Sequence, residues 1–273
     1  MQLINDKFAI FGNPVKHSKS PYIYSLFASK AKIYNSNYIR ILATQDNFKK
    51  KFFNFFKNGG LGANITSPFK ENAYLLCDVL TKNSLQSKSV NTVKKQKNGL
   101  LLGHNTDGIG LINDLKKLNF INLDYNNVLI IGAGGASKGI ISSLIDYGFK
   151  ITITNRTFKK ANELILQYNY NQIQAIPIDK LIYPDYTLII NATSSSMYGK
   201  IPKLKTSLIT NKTCCYDLYY SKNDTSFILW CKSYGAKKCA DGIGMLIQQA
   251  AHSFLMWHRV LPSVEDIVFN LYK

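Results

Sequence analysis

Hydrophobic and polar positions change period several times along this chain. Lys7 to Gly12 (KFAIFG) is a short apolar run that predicts a strand. A loop with Pro14 and Pro21 follows, then an apolar helical stretch to about Ala31. Asn37 to Ile41 predicts the next strand. Asn47 to Phe56 has helical spacing and stops at Gly59-Gly60, a C-terminal signal. Gly62 to Thr66 predicts a short strand, Pro68 the opening of another helix, and Leu100 to Gly103 the end of this α/β half.

The pattern starts again near Asn126. NNVLII predicts a buried strand, GAGGAS a turn, and Ile140, Ile141, Leu144 and Ile145 the apolar face of a helix that Gly148 closes. Phe149, Ile151 and Ile153 alternate with Lys150, Thr152 and Thr154, which is strand periodicity. TLIINAT and TCCYDL predict two later strands, and Asp241 to Trp257 a long helix. Repeated strand–helix–strand units imply right-handed crossovers and a parallel sheet.

Composition narrows the class. The 273 residues suffice for one large domain or two small ones, and 46% hydrophobic with 18% charged residues argues against disorder. No stretch approaches the roughly 20 uninterrupted apolar residues of a membrane helix. The start, MQLINDKFAI, has no apolar run after a basic cluster, so no secretory signal is expected. Five cysteines (Cys77, Cys214, Cys215, Cys231, Cys239) form no CxxC pair, which reads as reduced thiols in a cytoplasmic protein. The net charge of +18 suggests nucleic acid, yet only Arg40, Arg156 and Arg259 carry a guanidinium. The lysines are scattered singly among Asn and Ile, so no nucleic-acid or membrane partner is expected. A diffuse positive field still favours encounter with small anions.

Gly132-Ala133-Gly134-Gly135-Ala136-Ser137 follows a strand and opens a helix, the context a dinucleotide fingerprint requires. The first glycine permits a tight turn, the second lets backbone approach a pyrophosphate, and helix N-terminal amides face the phosphates. Ser137 stands at the third small position, usually Gly or Ala. An NAD site places Asp or Glu about 20 residues after the first glycine. Here Asn155-Arg156-Thr157 occupies that neighbourhood, with Lys159 and Lys160 beyond, so the expected cofactor is NADP, its 2′-phosphate held by Arg156 and Thr157. A bare glycine-rich turn and an ordinary surface arginine are the plainer alternatives.

Asn64-Ile65-Thr66-Ser67-Pro68-Phe69-Lys70 puts a lysine where a helix N-terminus carries partial positive charge. Read locally, Lys70 either snorkels to water or is wanted for chemistry. His17, His104, His252 and His258 are isolated, no cluster has metal-ligand spacing, and no metal is expected.

Eight blocks occur in order: GNPVKHSKSP from Gly12, NITSPFK from Asn64, SVNT from Ser89, GHNTDG from Gly103, GAGGAS from Gly132, NRT from Asn155, YDLYY from Tyr216 and ADGIGML from Ala240. The series resembles the shikimate dehydrogenase family, NADP-dependent enzymes of aromatic amino-acid biosynthesis, over nearly the full chain. The resemblance implies that Lys70 and Asp107 form the catalytic acid–base pair. It implies that Ser18 and Ser20 bind the substrate carboxylate, with Thr66, Asn91, Tyr220 and Gln249 completing the pocket. Asn155, Arg156, Thr157 and Lys160 would form the adenosine-phosphate loop, and Leu218, Gly242 and Met245 would lie near the nicotinamide. On a helix beginning near Gly242, residues 242, 245 and 249 share a face, which favours Gln249 over Gln248 as the pocket residue.

The implied fold is α/β in two domains: an N-terminal α/β substrate domain of residues 1–106, joined by a C-terminal return of residues 242–273, and a Rossmann-like NADP-binding domain of residues 107–241. The active site is expected in a cleft between these lobes, and a homodimer stays open. Departures from the family pattern are Lys88-Ser89 before the VNT segment, Lys82 at a commonly acidic position, and Lys160 at a frequent arginine. The last keeps charge but loses the planar fork. The implied reaction is reversible reduction of 3-dehydroshikimate to shikimate with NADPH. A quinate-accepting relative with looser NAD/NADP choice and a non-catalytic NADP-binding paralogue are the competing readings.

Overall fold

The computed structural model describes residues 6–121, 126–168, 170–182, 186–265 and 267–271. The chain divides into two compact units, one of Met1–Gly110 with Ile247–Lys273 and the other of Leu111–Leu246.

The first unit holds β1 (Asp6–Gly12), α1 (Ser20–Lys30), β2 (Ser36–Leu42), α2 (Phe48–Lys57), β3 (Gly60–Ile65), α3 (Lys70–Leu76), β4 (Val79–Leu80), α4 (Lys82–Ser87), β5 (Thr92–Lys95) and β6 (Leu101–His104). Its sheet runs β2-β1-β3-β5-β6-β4. β1 lies parallel to β2 and β3, β5 runs antiparallel between β3 and β6, and β4 is parallel to β6. Phe48, Phe52 and Phe56 recur every four residues on α2, so they share one buried face. Each such side chain contributes roughly 1.5–3 kcal/mol by leaving water. Phe48 stacks on Phe69 with ring centroids 4.5 Å apart, and Phe69 is fully buried. That packing explains a correction: the helix expected to open at Pro68 starts at Lys70, because Phe69 is drawn into the core and its N–H closes a turn on the Thr66 carbonyl at 3.0 Å. β5 escaped pattern reading because it ends in two lysines. Their ammonium groups donate to the Met256 carbonyl (2.5 Å) and the Phe56 carbonyl (2.9 Å), near the ends of helices rich in unpaired carbonyls.

α5 (Asp107–Lys117) begins in the first unit and ends in the second. The second unit continues with β7 (Asn127–Ile131), α6 (Gly135–Asp146), β8 (Lys150–Thr154), α7 (Phe158–Ile165), β9 (Ile173–Ala175), β10 (Leu188–Asn191), β11 (Cys214–Asp217), α8 (Ser226–Ser233) and β12 (Lys238–Asp241). α9 (Ile243–His258) starts there and runs into the first unit, which also holds α10 (Ile267–Leu271). The second sheet is parallel throughout, ordered β12-β11-β10-β7-β8-β9. Numbered along the chain this is 3-2-1-4-5-6, the doubly wound order whose switch point lies between the first and fourth strands. Hydrophobic clusters cover both faces: Val128 and Ile130 enter one, Leu129 and Ile131 the other. Thr152 and Thr154 are consequently buried as well, although they alternate with apolar neighbours.

A second correction concerns Asp241, which ends β12 instead of starting the long helix. Its Oδ1 accepts from the Ile243 N–H at 3.2 Å and its Oδ2 from the Ser221 N–H at 3.1 Å, so the carboxylate caps the helix it precedes.

Candidate active site

Lys70 is the first residue of α3 and Asp107 the first of α5. Lys70 Nζ donates to Asp107 Oδ2 at 2.6 Å, with side-chain exposures of 17% and 6%. A carboxylate suits the N-terminus of an eleven-residue helix, whereas an ammonium at such a position is opposed by the peptide dipoles. The ion pair offsets that opposition. Asp107 N–H donates to Asn105 Oδ1 at 3.0 Å, which fixes the aspartate's backbone from one side.

Asn91 holds the other carboxylate oxygen. Its Nδ2 donates to Asp107 Oδ1 at 2.7 Å and lies 3.0 Å from Thr106 Oγ1 and 3.3 Å from Gln249 Oε1. Its Oδ1 accepts from the Thr106 N–H (2.9 Å) and the Thr92 hydroxyl (2.8 Å). Gln249 reaches this cluster because α9 passes α5 at Gly110, where an added Cβ would stand 2.7 Å from the Gln249 Cβ. The first unit therefore gathers Lys70, Asn91, Asp107 and Gln249. Thr66 stands half-buried beside them in sequence terms only: its backbone N–H bonds the Phe11 carbonyl at 2.9 Å.

Ser18 and Ser20 also belong to this unit. The Ser18 hydroxyl donates to Ser20 Oγ at 3.1 Å, and the Ser20 N–H returns to Ser18 Oγ at 3.2 Å. Sequence reasoning missed their supports. Tyr38 donates to Asn64 Oδ1 at 2.7 Å, and Arg40 donates twice to the Ser18 carbonyl. Asn64 Nδ2 in turn reaches Ser253 Oγ at 3.2 Å, and Thr92 and Ser253 hydroxyls lie 2.7 Å apart. Burial pushes the Tyr38 phenol well above its ordinary pKa, so it stays a neutral donor. The available signal was that Asn64 and Thr106 sit inside quoted motifs next to Thr66 and Asp107.

In the second unit the turn after β7 behaves as its glycines require. Gly132 has φ +114°, and an added Cβ would meet the Ala192 carbonyl oxygen at 3.0 Å. Gly134 precedes α6 with open space where a Cβ would project. No side chain caps α6 and its first turn holds no acidic residue, so the Gly135 and Ala136 amides keep their positive end for an anion. Ser137 faces the other way: it is fully buried and its hydroxyl donates to the Gly132 carbonyl at 2.8 Å. Any contribution from Ser137 to a ligand is thus by backbone, with Ala133 half-buried at the turn.

Asn155 Nδ2 donates to the Thr157 carbonyl at 2.9 Å and shapes the loop after β8. Arg156, Thr157 and Lys160 are exposed there, and the Arg156 guanidinium has no partner among the described residues. These groups fit a phosphorylated ribose. Gly242 sits against the Leu218 carbonyl, which an added Cβ would overlap, so only glycine allows that approach. Met245 is buried in the core of this unit and its N–H donates to the Tyr216 hydroxyl at 3.3 Å. Tyr219 and Tyr220 stack with centroids 6.2 Å apart.

A polar cluster at the ends of β10 and β11 also went unread. Asn191 Nδ2 donates to Asp217 Oδ1 (3.1 Å), and the Ser196 and Thr225 hydroxyls donate to Asp217 Oδ2 at 2.5 and 2.7 Å. Asp217 Oδ1 also accepts the Tyr219 N–H at 3.1 Å, which orders the Leu218–Tyr220 segment. Burial raises the Asp217 carboxyl above its ordinary value, partly countered by these donors. All five cysteines are free thiols, and no group of metal-binding side chains occurs among the described residues. Among those residues no helix is long and apolar enough to cross a membrane.

Two family models match in chain order: "Shikimate dehydrogenase substrate binding domain" over residues 10–93 and "Shikimate / quinate 5-dehydrogenase" over residues 114–206. The chain is also 52% identical to a shikimate dehydrogenase (NADP(+)) of Blochmanniella pennsylvanica, covering 97% of this chain and 98% of the relative. It belongs to the shikimate dehydrogenase family. The corresponding protein of Blochmanniella floridana is 48% identical, with 97% of each chain covered. Among solved structures, the shikimate 5-dehydrogenase of Thermus thermophilus in complex with NADP(H) and shikimate has a TM-score of 0.85 and 28% identity, covering 94% of this chain and 95% of that one. Within this family member, the substrate-domain match contains Ser18, Ser20, Thr66, Lys70 and Asn91, whereas Asp107 and Gln249 lie outside both matched spans.

Proposed function

We propose that this shikimate dehydrogenase catalyses the reversible NADPH-dependent reduction of 3-dehydroshikimate to shikimate, with Lys70 and Asp107 as its acid–base pair. The observation that carries this reading is the 2.6 Å contact between two charged side chains, 37 positions apart, held by Asn91. When bound, NADPH supplies the hydride. The substrate's carbonyl oxygen then gains negative charge, and Lys70 Nζ donates the proton it needs; in the reverse direction the neutral amine takes that proton back. Asp107 aims the ammonium through their 2.6 Å contact. Ser18 and Ser20 hydroxyls turn from each other towards the substrate carboxylate, and Thr66, Asn91, Gln249 and Tyr220 meet the ring hydroxyls. An analogue lacking one of those hydroxyls leaves a buried donor unpaired and is rejected for that reason.

The exposed Arg156, Thr157 and Lys160 select the 2′-phosphate, and the Gly132–Ser137 turn takes the pyrophosphate. Leu218, Gly242 and Met245 flank the nicotinamide. The protein acts on small molecules in the cytoplasm, as a monomer or homodimer, with no nucleic-acid partner. The decisive assay follows absorbance of reduced cofactor with purified protein, shikimate or quinate, and NADP or NAD. Rapid turnover with shikimate and NADP supports the reading. Faster turnover with quinate, or with NAD, replaces it by the looser dehydrogenase, and no turnover with any pair refutes it.

A further inference from the structure

One strand backs the first loop at Ser18. Residues two apart on a strand share a face, and β2 presents Tyr38 and Arg40 in that way. Tyr38 donates to Asn64 Oδ1 at 2.7 Å. Arg40 donates to the Ser18 carbonyl from Nε at 3.2 Å and from Nη2 at 2.7 Å. β2 is the edge strand of its sheet and Arg40 is exposed, so the guanidinium serves no core packing. It is one of three arginines among 34 basic residues in a chain that otherwise uses lysine. A carbonyl at a protein surface is satisfied by water alone. A rigid two-pronged donor does more: it fixes the orientation of that peptide and hence the direction of the Ser18 side chain.

We propose that Arg40 is a positioning residue for carboxylate recognition. Its fork holds the Ser18 peptide so that the hydroxyl faces the anion. This rests on the reading that Ser18 and Ser20 bind the substrate carboxylate. Ser20 is tied to this peptide through Ser18, whose hydroxyl donates to Ser20 Oγ and accepts the Ser20 N–H.

The test is steady-state kinetics on Arg40→Met, Arg40→Lys, Ser18→Ala and the Ser18→Ala/Arg40→Met double variant. Arg40→Met should raise KM for shikimate about tenfold while kcat and KM for NADP stay within about twofold. Arg40→Lys should recover part of the loss, since it restores a single donor to the Ser18 carbonyl without the fork. In the Ser18→Ala background, Arg40→Met should change KM by less than about twofold, because the two residues act as one unit. Independent, multiplying effects overturn the proposal. So does an unchanged KM in Arg40→Met when Ser18→Ala raises it, and that outcome leaves the serine reading intact. An unchanged KM in Ser18→Ala removes the serine reading and the proposal with it.

Discussion

Replacing Lys70 by alanine separates chemistry from binding in this enzyme. The substitution removes the ammonium 2.6 Å from Asp107 Oδ2 and leaves a carboxylate whose side chain is 6% exposed. At that separation the pair's Coulomb attraction is about 6 kcal/mol for an effective dielectric near 20. Desolvation of both groups cancels much of it, and breaking a buried pair costs about 3–5 kcal/mol of stability. Asn91 and the N-terminus of α5 still hold the carboxylate, the latter worth about 0.3–1 kcal/mol, so the lower end of that range is expected. Turnover should fall about 100- to 10,000-fold, the usual contribution of a general acid–base group, or about 3–5 kcal/mol on the barrier. Binding of NADP should hardly change, because the Gly132–Ser137 turn and Arg156 belong to the other compact unit. Initial rates at saturating shikimate, calorimetric NADP titration and a thermal melt give the three readouts. A variant keeping more than about a tenth of parental kcat would have lost under about 1.4 kcal/mol, too little for the proton donor. A parallel collapse of NADP affinity would show global damage instead.

Three further outcomes follow from particular contacts. Arg156→Gln should raise KM for NADP by about 10- to 100-fold and leave NAD use unchanged, because a charge-assisted phosphate contact is worth about 1.5–3 kcal/mol; equal losses with both cofactors would contradict this. Asn91→Ala orphans Asp107 Oδ1 and the Thr106 N–H, so urea unfolding should report a loss of about 2–5 kcal/mol with kcat lowered as well. Burial holds His104, His252 and His258 below the usual 6.5, so the unfolded chain binds more protons there and stability falls as pH drops from 6.5 through the lowered values. Asp114, Asp217 and Asp241, raised by burial, act oppositely: their contribution is greatest below ordinary carboxylate values and is lost as pH rises. The clean measurement is therefore a difference, in which His104→Gln flattens the stability loss between about pH 7 and pH 5 relative to the parent. Identical slopes would refute the histidine assignment.

The sequence by itself determined what local sterics and periodicity control. Gly132 had to be glycine for its turn, the lack of an acidic residue in the Asn155–Thr157 neighbourhood pointed to NADP, and the helical spacing of Asn47 to Phe56 announced α2. In the second half β7, β8, β10 and β11 were readable as short apolar or alternating runs, whereas β9 (IQA) and β12 (KCAD) are too short and too polar to carry a strand period, and α7 and α8 went unread with them. Tertiary structure alone decided the rest. Lys70 meets Asp107 across 37 positions, and Asn91 meets Gln249 across 158, distances that carry no period. β5 is a strand although lysine-rich, because helix-end carbonyls receive its ammonium groups. Ser137 turns inward and Arg40 reaches Ser18 for the same reason: a polar group's direction is set by whichever partner the packed chain brings within 3 Å or so, and a linear string of residues does not record that neighbour.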